Sequence, residues 1–240
     1  MPKKNKQGAK KSHRKVKITP DHRITNVIEN HDEEISSWRL FKIIGEFVNG
    51  YEFLKKYELA ASIFGTSRLG FNDQVYKDAQ KLGYKLAMAG FAVITGGGPG
   101  VMEAANKGAF EAGGKSVGIN IKLPHEQETN KYVQESIEFN YFFVRKLMLS
   151  FASEVYIFFP GGYGTLDELF EMITLVQTKK SKPVPIILVN KNFWKPLLDW
   201  IENQIFKENH AICKKDLDIF HLVDTADDAF LLVKKLIGVK

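Results

Sequence analysis

The sequence has little of what disulfide-bonded, metal-binding and membrane-spanning proteins need. Its 240 residues include one cysteine, Cys213, so no intrachain disulfide can form. The six histidines show no H-x-x-x-H spacing, which argues against a zinc site. No apolar run approaches the roughly 20 residues of a membrane span, and no apolar segment of a signal peptide follows the basic N-terminus. We therefore expect a soluble, cytoplasmic protein without a metal site.

The net positive charge is confined to one short segment. The whole chain carries a net charge of +6, the eight basic residues before Asp21 contribute +8, and the remainder therefore carries −2. Residues 1–20 also lack apolar periodicity, and we predict that they form a disordered, solvated basic tail. A nucleic-acid partner is not expected for the acidic body, and salt-dependent contact of the tail with RNA is kept as an alternative.

Two regions with different apolar patterns follow the tail. Residues 21–57 are predicted to be an N-terminal helical extension of one or two helices, broken or bent near Asn49-Gly50, that packs onto the next domain. Residues 58–240 alternate apolar runs with helical patterns. The runs are residues 60–64, 91–95, 116–121, 154–159, 184–189 and 219–223. The helical patterns are residues 73–89, 101–112, 141–153, 165–178, 193–206 and 226–237.

This alternation predicts a single Rossmann-like α/β domain, a doubly wound parallel sheet with helices on both faces. The runs are apolar on consecutive residues, as is typical of parallel strands covered on both sides. Strands that alternate with helices imply right-handed crossovers within one sheet. Residues 122–139 do not fit the alternation, and we interpret their polar part as an insertion that shapes a ligand pocket.

Three turns rich in small residues each follow a predicted strand and precede a helix, namely residues 65–68, 96–100 and 160–165. At the carboxyl edge of a parallel sheet such turns bind ligands. Backbone N–H groups can then close around a phosphate, which the positive end of the helix dipole also attracts. Gly65, Ser67 and Gly161 are therefore candidate nucleotide-binding residues. The alternative is that the glycines only permit tight turns.

Two common nucleotide-binding motifs are missing. No G-x-x-x-x-G-K-[ST] sequence is present, so the site lacks the lysine and hydroxyl of a P-loop. Residues 96–100 do not read G-x-G-x-x-G with an acidic residue about 20 positions further on. A hydride-transferring dehydrogenase is therefore disfavoured.

Charged residues near these turns have two interpretations each. Thr165 and Glu168 have the spacing of a capping box, yet Glu168 is also within reach of the glycine turn. Arg145 and Lys146 interrupt an apolar helix, and adjacent helical residues point about 100° apart, so at most one faces the site. A surface salt bridge suits Lys146 better than Arg145. Glu171, one turn after Glu168, is either a supporting partner or exposed.

Three segments resemble the Lonely Guy (LOG) family, whose members are often labelled "putative lysine decarboxylase". They are Thr95-Gly-Gly-Gly-Pro-Gly-Val-Met-Glu-Ala, Arg145-Lys146 followed by Met148, and Pro160-Gly-Gly-Tyr-Gly-Thr-Leu-Asp-Glu168. The resemblance spans about residues 58–206. One departure is that Phe142, Phe143 and Val144 stand where many members have Met-His-x before the arginine.

The resemblance implies hydrolysis of the N-glycosidic bond of a nucleoside 5′-monophosphate, AMP or a cytokinin riboside monophosphate, to a free base and ribose 5-phosphate. It implies Arg145 and Glu168 as catalytic residues, with Glu168 stabilising a ribosyl cation and Arg145 holding Glu168 ionised or binding the nucleotide. No metal or organic cofactor is implied, and a homodimer is. The implied phosphate contacts are Gly97, Gly98, Gly100, Gly162, Gly164 and Thr165. The alternative is a non-enzymatic carrier of a nucleotide or of molybdenum cofactor, which the presence of Glu168 disfavours.

Overall fold

The computed structural model describes residues 37–68, 70, 73–122 and 129–238. The predicted basic tail and the first part of the predicted helical extension lie outside these residues. The chain divides after Phe41 into two compact units, of which the second, Lys42–Lys240, contains the sheet.

The first helix, α1 (Ser37–Leu54), continues through Asn49 and Gly50, so the predicted break is wrong. Gly50 serves a close approach: a Cβ atom there would lie 2.5 Å from Sδ of Met148 and 3.1 Å from the Phe139 ring. Gly50 therefore permits tight packing of α1 against these two side chains, at the usual conformational cost of a glycine within a helix.

Seven strands and six further α-helices make up most of the rest of the described fold. The strands are β1 (Ala60–Phe64), β2 (Ala92–Thr95), β3 (Ser116–Ile121), β4 (Glu135–Phe139), β5 (Val155–Phe158), β6 (Ile186–Val189) and β7 (Phe220–Val223). The remaining α-helices are α2 (Asp73–Met88), α3 (Val101–Glu111), α4 (Phe142–Ser150), α5 (Tyr163–Gln177), α6 (Lys191–Trp200) and α7 (Ala226–Ile237). A π-helical segment (Ile201–Glu208) extends α6, and a 3₁₀ segment (Lys214–Asp218) precedes β7.

All seven strands are parallel and lie in the order β4-β3-β2-β1-β5-β6-β7. The chain starts in the middle of the sheet at β1, builds outward to β4, and returns to add β5 beside β1, where Ser62 is in register with Tyr156. This confirms the predicted doubly wound α/β fold. The strand order reverses between β1 and β5, and ligands bind outside the carboxyl ends of the strands at such a reversal.

Strand β4 was not predicted from the sequence. It pairs only with β3, at the edge of the sheet, and most of its residues are exposed or half-exposed. A strand with one covered side has no need of a continuous apolar run, so its sequence Glu-Ser-Ile-Glu-Phe gave no strong signal. The residues before it, 123–128, lie outside the described part of the chain.

The core lies in two layers, one on each face of the sheet. One layer packs β-strand residues such as Ile63 and Val93 against α2, α3 and α7, and the other packs Phe64 and Ile94 against α4, α5 and α6. Trp194 of α6 is fully buried, and its indole N–H donates to the Val189 carbonyl at 3.0 Å. Helices therefore cover both faces of the sheet, and its carboxyl edge remains open for a ligand-binding site.

Candidate active site

A cavity of about 750 Å³ lies at the carboxyl edge of the sheet, beside β1 and β5. Its size suits a small-molecule ligand, for which pockets are typically about 300–1,000 Å³. The three small-residue turns all line it, so the prediction that they gather at one edge is confirmed. The predicted site residues that line it are Gly65, Ser67, Gly97, Gly98, Arg145, Gly161, Gly162, Gly164, Thr165 and Glu168.

Gly100 is the predicted phosphate contact that does not line this cavity. It adopts φ +72°, and a Cβ atom there would lie 2.4 Å from the carbonyl oxygen of Thr66. The next residue, Val101, donates its N–H to that same oxygen at 2.9 Å. The structure thus gives Gly100 a packing role, in which it brings the turn after β2 against the turn after β1.

The turn after β2 is held by buried polar side chains. The Gly97 N–H donates to Thr95 Oγ1 at 2.9 Å, and Thr95 Oγ1 donates to Asn106 Oδ1 at 2.6 Å. Asn130 Nδ2 donates to the carbonyls of Gly97 and Gly98, at 3.1 and 3.0 Å, and to Asn106 Oδ1 at 3.0 Å. These bonds fix the turn in one conformation before any ligand binds.

Sequence reasoning missed Asn106, Asn130 and also Asn120, which lines the cavity. A signal existed for two of them, because Asn106 lies within a helix and Asn120 within an apolar strand, where amides are uncommon unless they are bonded. Asn120 Nδ2 donates to Thr129 Oγ1, and its Oδ1 is buried without a partner among the described residues. Asn130 gave no such signal, because it lies in a polar segment.

The turn after β5 leads directly into α5. Gly162 is the N-cap of this helix and no side chain caps it, so the first N–H groups of α5 lack intrahelical partners. Cβ atoms added at Gly162 or Gly164 would meet nothing within 4 Å. Open space beside free N–H groups at a helix N-terminus is an arrangement that attracts anions in proteins.

The capping interpretation of Glu168 is wrong. Because α5 begins at Tyr163, Thr165 is the third residue of the helix and Glu168 the sixth, so they cannot form a capping box. Glu168 is instead buried in the wall of the cavity, with 7% of its surface exposed. Burial raises its pKa to about 7, the charges of Glu171 and Asp167 also raise it, and Lys146 and, less strongly, Arg145 oppose the rise.

The two cations of α4 have different surroundings, and Arg145 is the one that faces the cavity. Arg145 donates from Nε to the Ile119 carbonyl at 2.9 Å and from Nη2 to the Gly96 carbonyl at 3.4 Å. Burial lowers the pKa of its guanidinium, and Glu168 opposes this effect. Arg145 therefore lines the cavity tied to the backbone, and no ion pair within 4 Å joins it to Glu168 in the described structure.

Lys146 makes the ion pairs that the sequence argument placed on the helix surface, but it makes them across to α5. Its Nζ lies 2.7 Å from Asp167 Oδ2, 2.7 Å from Glu171 Oε2 and 3.7 Å from Glu168 Oε2. Lys146 differs from Arg145 because successive residues turn by about 100°, which directs residue 145 toward β3 and residue 146 toward α5. The cation nearest to Glu168 is thus Lys146.

Comparison with known proteins identifies the family of this chain. A family model described as possible lysine decarboxylase matches residues 102–233. The Arabidopsis thaliana protein named cytokinin riboside 5′-monophosphate phosphoribohydrolase LOG1 is 31% identical over 169 residues, which cover 69% of this chain and 76% of that protein. The probable enzyme LOG6 of the same plant is 31% identical over 69% of this chain and 83% of its own length. The chain belongs to the Lonely Guy family.

Solved structures support the fold of this LOG-family protein. The molybdenum cofactor carrier protein of Chlamydomonas reinhardtii aligns with a TM-score of 0.58 at 21% identity, over 75% of this chain and 98% of that one. The molybdenum cofactor binding protein of Rippkaea orientalis aligns with a TM-score of 0.55 at 24% identity, over 75% of this chain and 96% of that one. At these identities the likeness concerns the fold alone.

None of the described helices has the length and apolar character to cross a membrane. Within the same residues, no group of three or more histidine, cysteine, aspartate or glutamate side chains is arranged to hold a metal ion.

Proposed function

We propose that this LOG-family protein hydrolyses the N-glycosidic bond of a nucleoside 5′-monophosphate, releasing the free base and ribose 5-phosphate. Its relatives named as phosphoribohydrolases support this reaction. The observation that carries the proposal is Glu168, a buried carboxylate in the same cavity as an uncapped, glycine-rich helix N-terminus. The helix N-terminus suits the substrate phosphate, and the carboxylate of Glu168 suits the ribose.

The substrate phosphate would bind at the turn after β5. The free N–H groups at the start of α5 and the positive end of its dipole attract an anion, and Gly162 and Gly164 leave room for one. Across the cavity Arg145 adds a positive charge held by backbone carbonyls. Since Arg145 makes no ion pair with Glu168, its geometry favours binding of the nucleotide over control of that carboxylate.

Glu168 would act at the ribose. As the bond from C1′ to the base breaks, its electron pair leaves with the base, which takes up a proton from solvent water, and C1′ gains positive charge. A carboxylate stabilises that charge, and it also accepts a proton from the water that adds to C1′. With a pKa of about 7, Glu168 is both partly ionised near neutral pH and basic enough to accept the proton.

A purine base would occupy the apolar part of the cavity, where Met102, Ile121, Phe142 and Leu149 line the wall. We propose AMP and cytokinin riboside monophosphates as substrates on this basis. The direct test incubates the purified protein with a panel of nucleoside monophosphates and measures released base by chromatography. Base release from a purine member supports the proposal. Tight binding of AMP with no base released from any member would favour the carrier function instead.

We further propose that the protein is a homodimer whose partner covers the mouth of the cavity. Phe142 lines the cavity, and about half of its side chain is exposed, as is also true of Phe143 and Phe151. Such a cluster of exposed aromatic side chains is typical of an interface. Light scattering at micromolar concentration should give twice the chain mass of 27.3 kDa, and a monomer alone would contradict this proposal.

A further inference from the structure

One ammonium group lies among three carboxylates beside the cavity. Lys146 of α4 contacts Asp167, Glu168 and Glu171 of α5 through its Nζ, at 2.7, 3.7 and 2.7 Å. The lysine side chain is 20% exposed and that of Glu168 is 9% exposed. Solvent therefore screens these charges much less than it screens a surface ion pair.

The three carboxylates have different surroundings. Glu168 lines the cavity, whereas Asp167 is half exposed and Glu171 a quarter exposed outside its lining. Partial burial lowers the pKa of Lys146, but the hydrogen bond to Asp167 and the ion pairs with Glu171 and Glu168 outweigh this and raise it. Lys146 therefore stays positively charged. Asp167 and Glu171, which lie outside the cavity lining, hold its ammonium group in position.

Glu168 has few groups that favour its ionised form. Burial disfavours its charge most, and the charges of Glu171 and Asp167 add to this effect. Lys146 is the strongest opposing influence, ahead of Arg145, whose guanidinium is bound to backbone carbonyls. Arg68 also lines the cavity. A phosphate dianion bound at the start of α5 would disfavour ionisation of Glu168 further, so the nearby cation becomes more important when substrate is present.

We propose that Lys146 is the positioning residue of this site: its ion pair keeps Glu168 ionised and directed into the cavity while an anionic substrate is bound. The catalytic part of this inference rests on the proposed function. The electrostatic part concerns only the chain's own residues, and it can be measured without any substrate.

The first measurement is the titration of Glu168 by NMR of protein with ¹³C-labelled glutamate carboxyl groups, assigned with Glu168→Gln. We expect Lys146→Met to raise the Glu168 midpoint by about one pH unit or more, since an opposite charge within about 4–6 Å shifts a pKa by that amount. Lys146→Arg keeps the charge and should restore the midpoint. Lys195→Met removes an exposed ion pair with Asp199 elsewhere on the chain and should leave it unchanged.

Glu171→Gln provides a test in the opposite direction. It removes a negative charge beside Glu168 and frees Lys146 from one partner, so the Glu168 midpoint should fall. If Lys146→Met fails to fold, Lys146→Gln, which also removes the charge and keeps a polar side chain, takes its place in the titration. A midpoint that does not move in Glu171→Gln, or that rises, would overturn the inference, as would an unmoved midpoint in a folded Lys146→Met.

The second measurement is the pH profile of kcat/KM for adenine release from AMP. In Lys146→Met the ascending limb should move to higher pH by the same amount as the NMR midpoint, which makes the rate about tenfold lower near pH 6 for a shift of one unit. The rate should return to within about twofold of wild type near pH 9. A loss of equal size at every pH would contradict the positioning role. An inactive wild type would instead overturn the proposed function, and the titration would still judge Lys146.

Discussion

The glycine turns after β2 and β5 resemble each other in sequence and differ in structure. The turn after β2 is bonded by Thr95, Asn106 and Asn130, and its Gly97 packs against Asn120. The turn after β5 has open space at Gly162 and Gly164, an uncapped helix start, and a buried carboxylate that follows within two turns of helix. Bonded groups stabilise a fold, whereas groups left open are available to a ligand. The bonds of the turn after β2 stabilise the fold, and our proposal places the substrate phosphate at the turn after β5.

Gly97→Ala should lower stability much more than a glycine substitution in open space does. Gly97 adopts φ +73°, and its added Cβ would lie 1.9 Å from Asn120 Oδ1. The strained backbone and the displaced buried amide together should lower the free energy of unfolding by roughly 2–3 kcal/mol, measured by urea denaturation. Gly113→Ala is the matched control, since it has φ +70° with open space. Equal losses in the two variants would mean that the turn after β2 is not tightly packed.

The buried carboxylate should make stability depend on pH. Folding raises the pKa of Glu168 from an unfolded value of 4.5 to about 7, so the native state binds more protons than the unfolded state between these two values. The contribution of Glu168 is therefore present below pH 4.5 and lost as pH rises through 7. Relative to Glu168→Gln, wild type should lose on the order of 3 kcal/mol across this range. Parallel curves of stability against pH for the two proteins would show that folding does not raise the pKa of Glu168.

Gly162→Ala should affect binding while it spares the fold. Gly162 has φ −94° and open space around an added Cβ. The free energy of unfolding should change by less than about 0.5 kcal/mol, while AMP should bind roughly tenfold more weakly, because the methyl group occupies the phosphate's space. Calorimetry measures the affinity, and Gly45→Ala, a helical glycine with open space, is the control. Unchanged affinity would remove the turn after β5 from the binding site.

Much of the fold was predictable from the sequence, because strands buried on both faces, such as β1 and β3, appear as short apolar runs with clear ends. Strand β4 was not, since an edge strand needs no such run. The site residues, like the strands, were predictable only in part. The glycine turns and Glu168 are visible as local motifs, whereas the bond from Asn130 to Gly97 joins residues 33 positions apart. The choice between Arg145 and Lys146 as the neighbour of Glu168 depends on how α4 packs against α5, which periodicity alone does not define.

The central claim is that Glu168 stabilises the positive charge that forms at C1′ as the bond to the base breaks. Glu168→Gln preserves the shape of the side chain and removes its charge. The wild-type and variant proteins can be compared for adenine release in a single turnover, with the protein in excess over AMP. We expect release to fall by about 10²-fold or more in the variant, while calorimetry shows that AMP still binds. A Glu168→Gln protein that releases adenine at the wild-type rate would contradict the account.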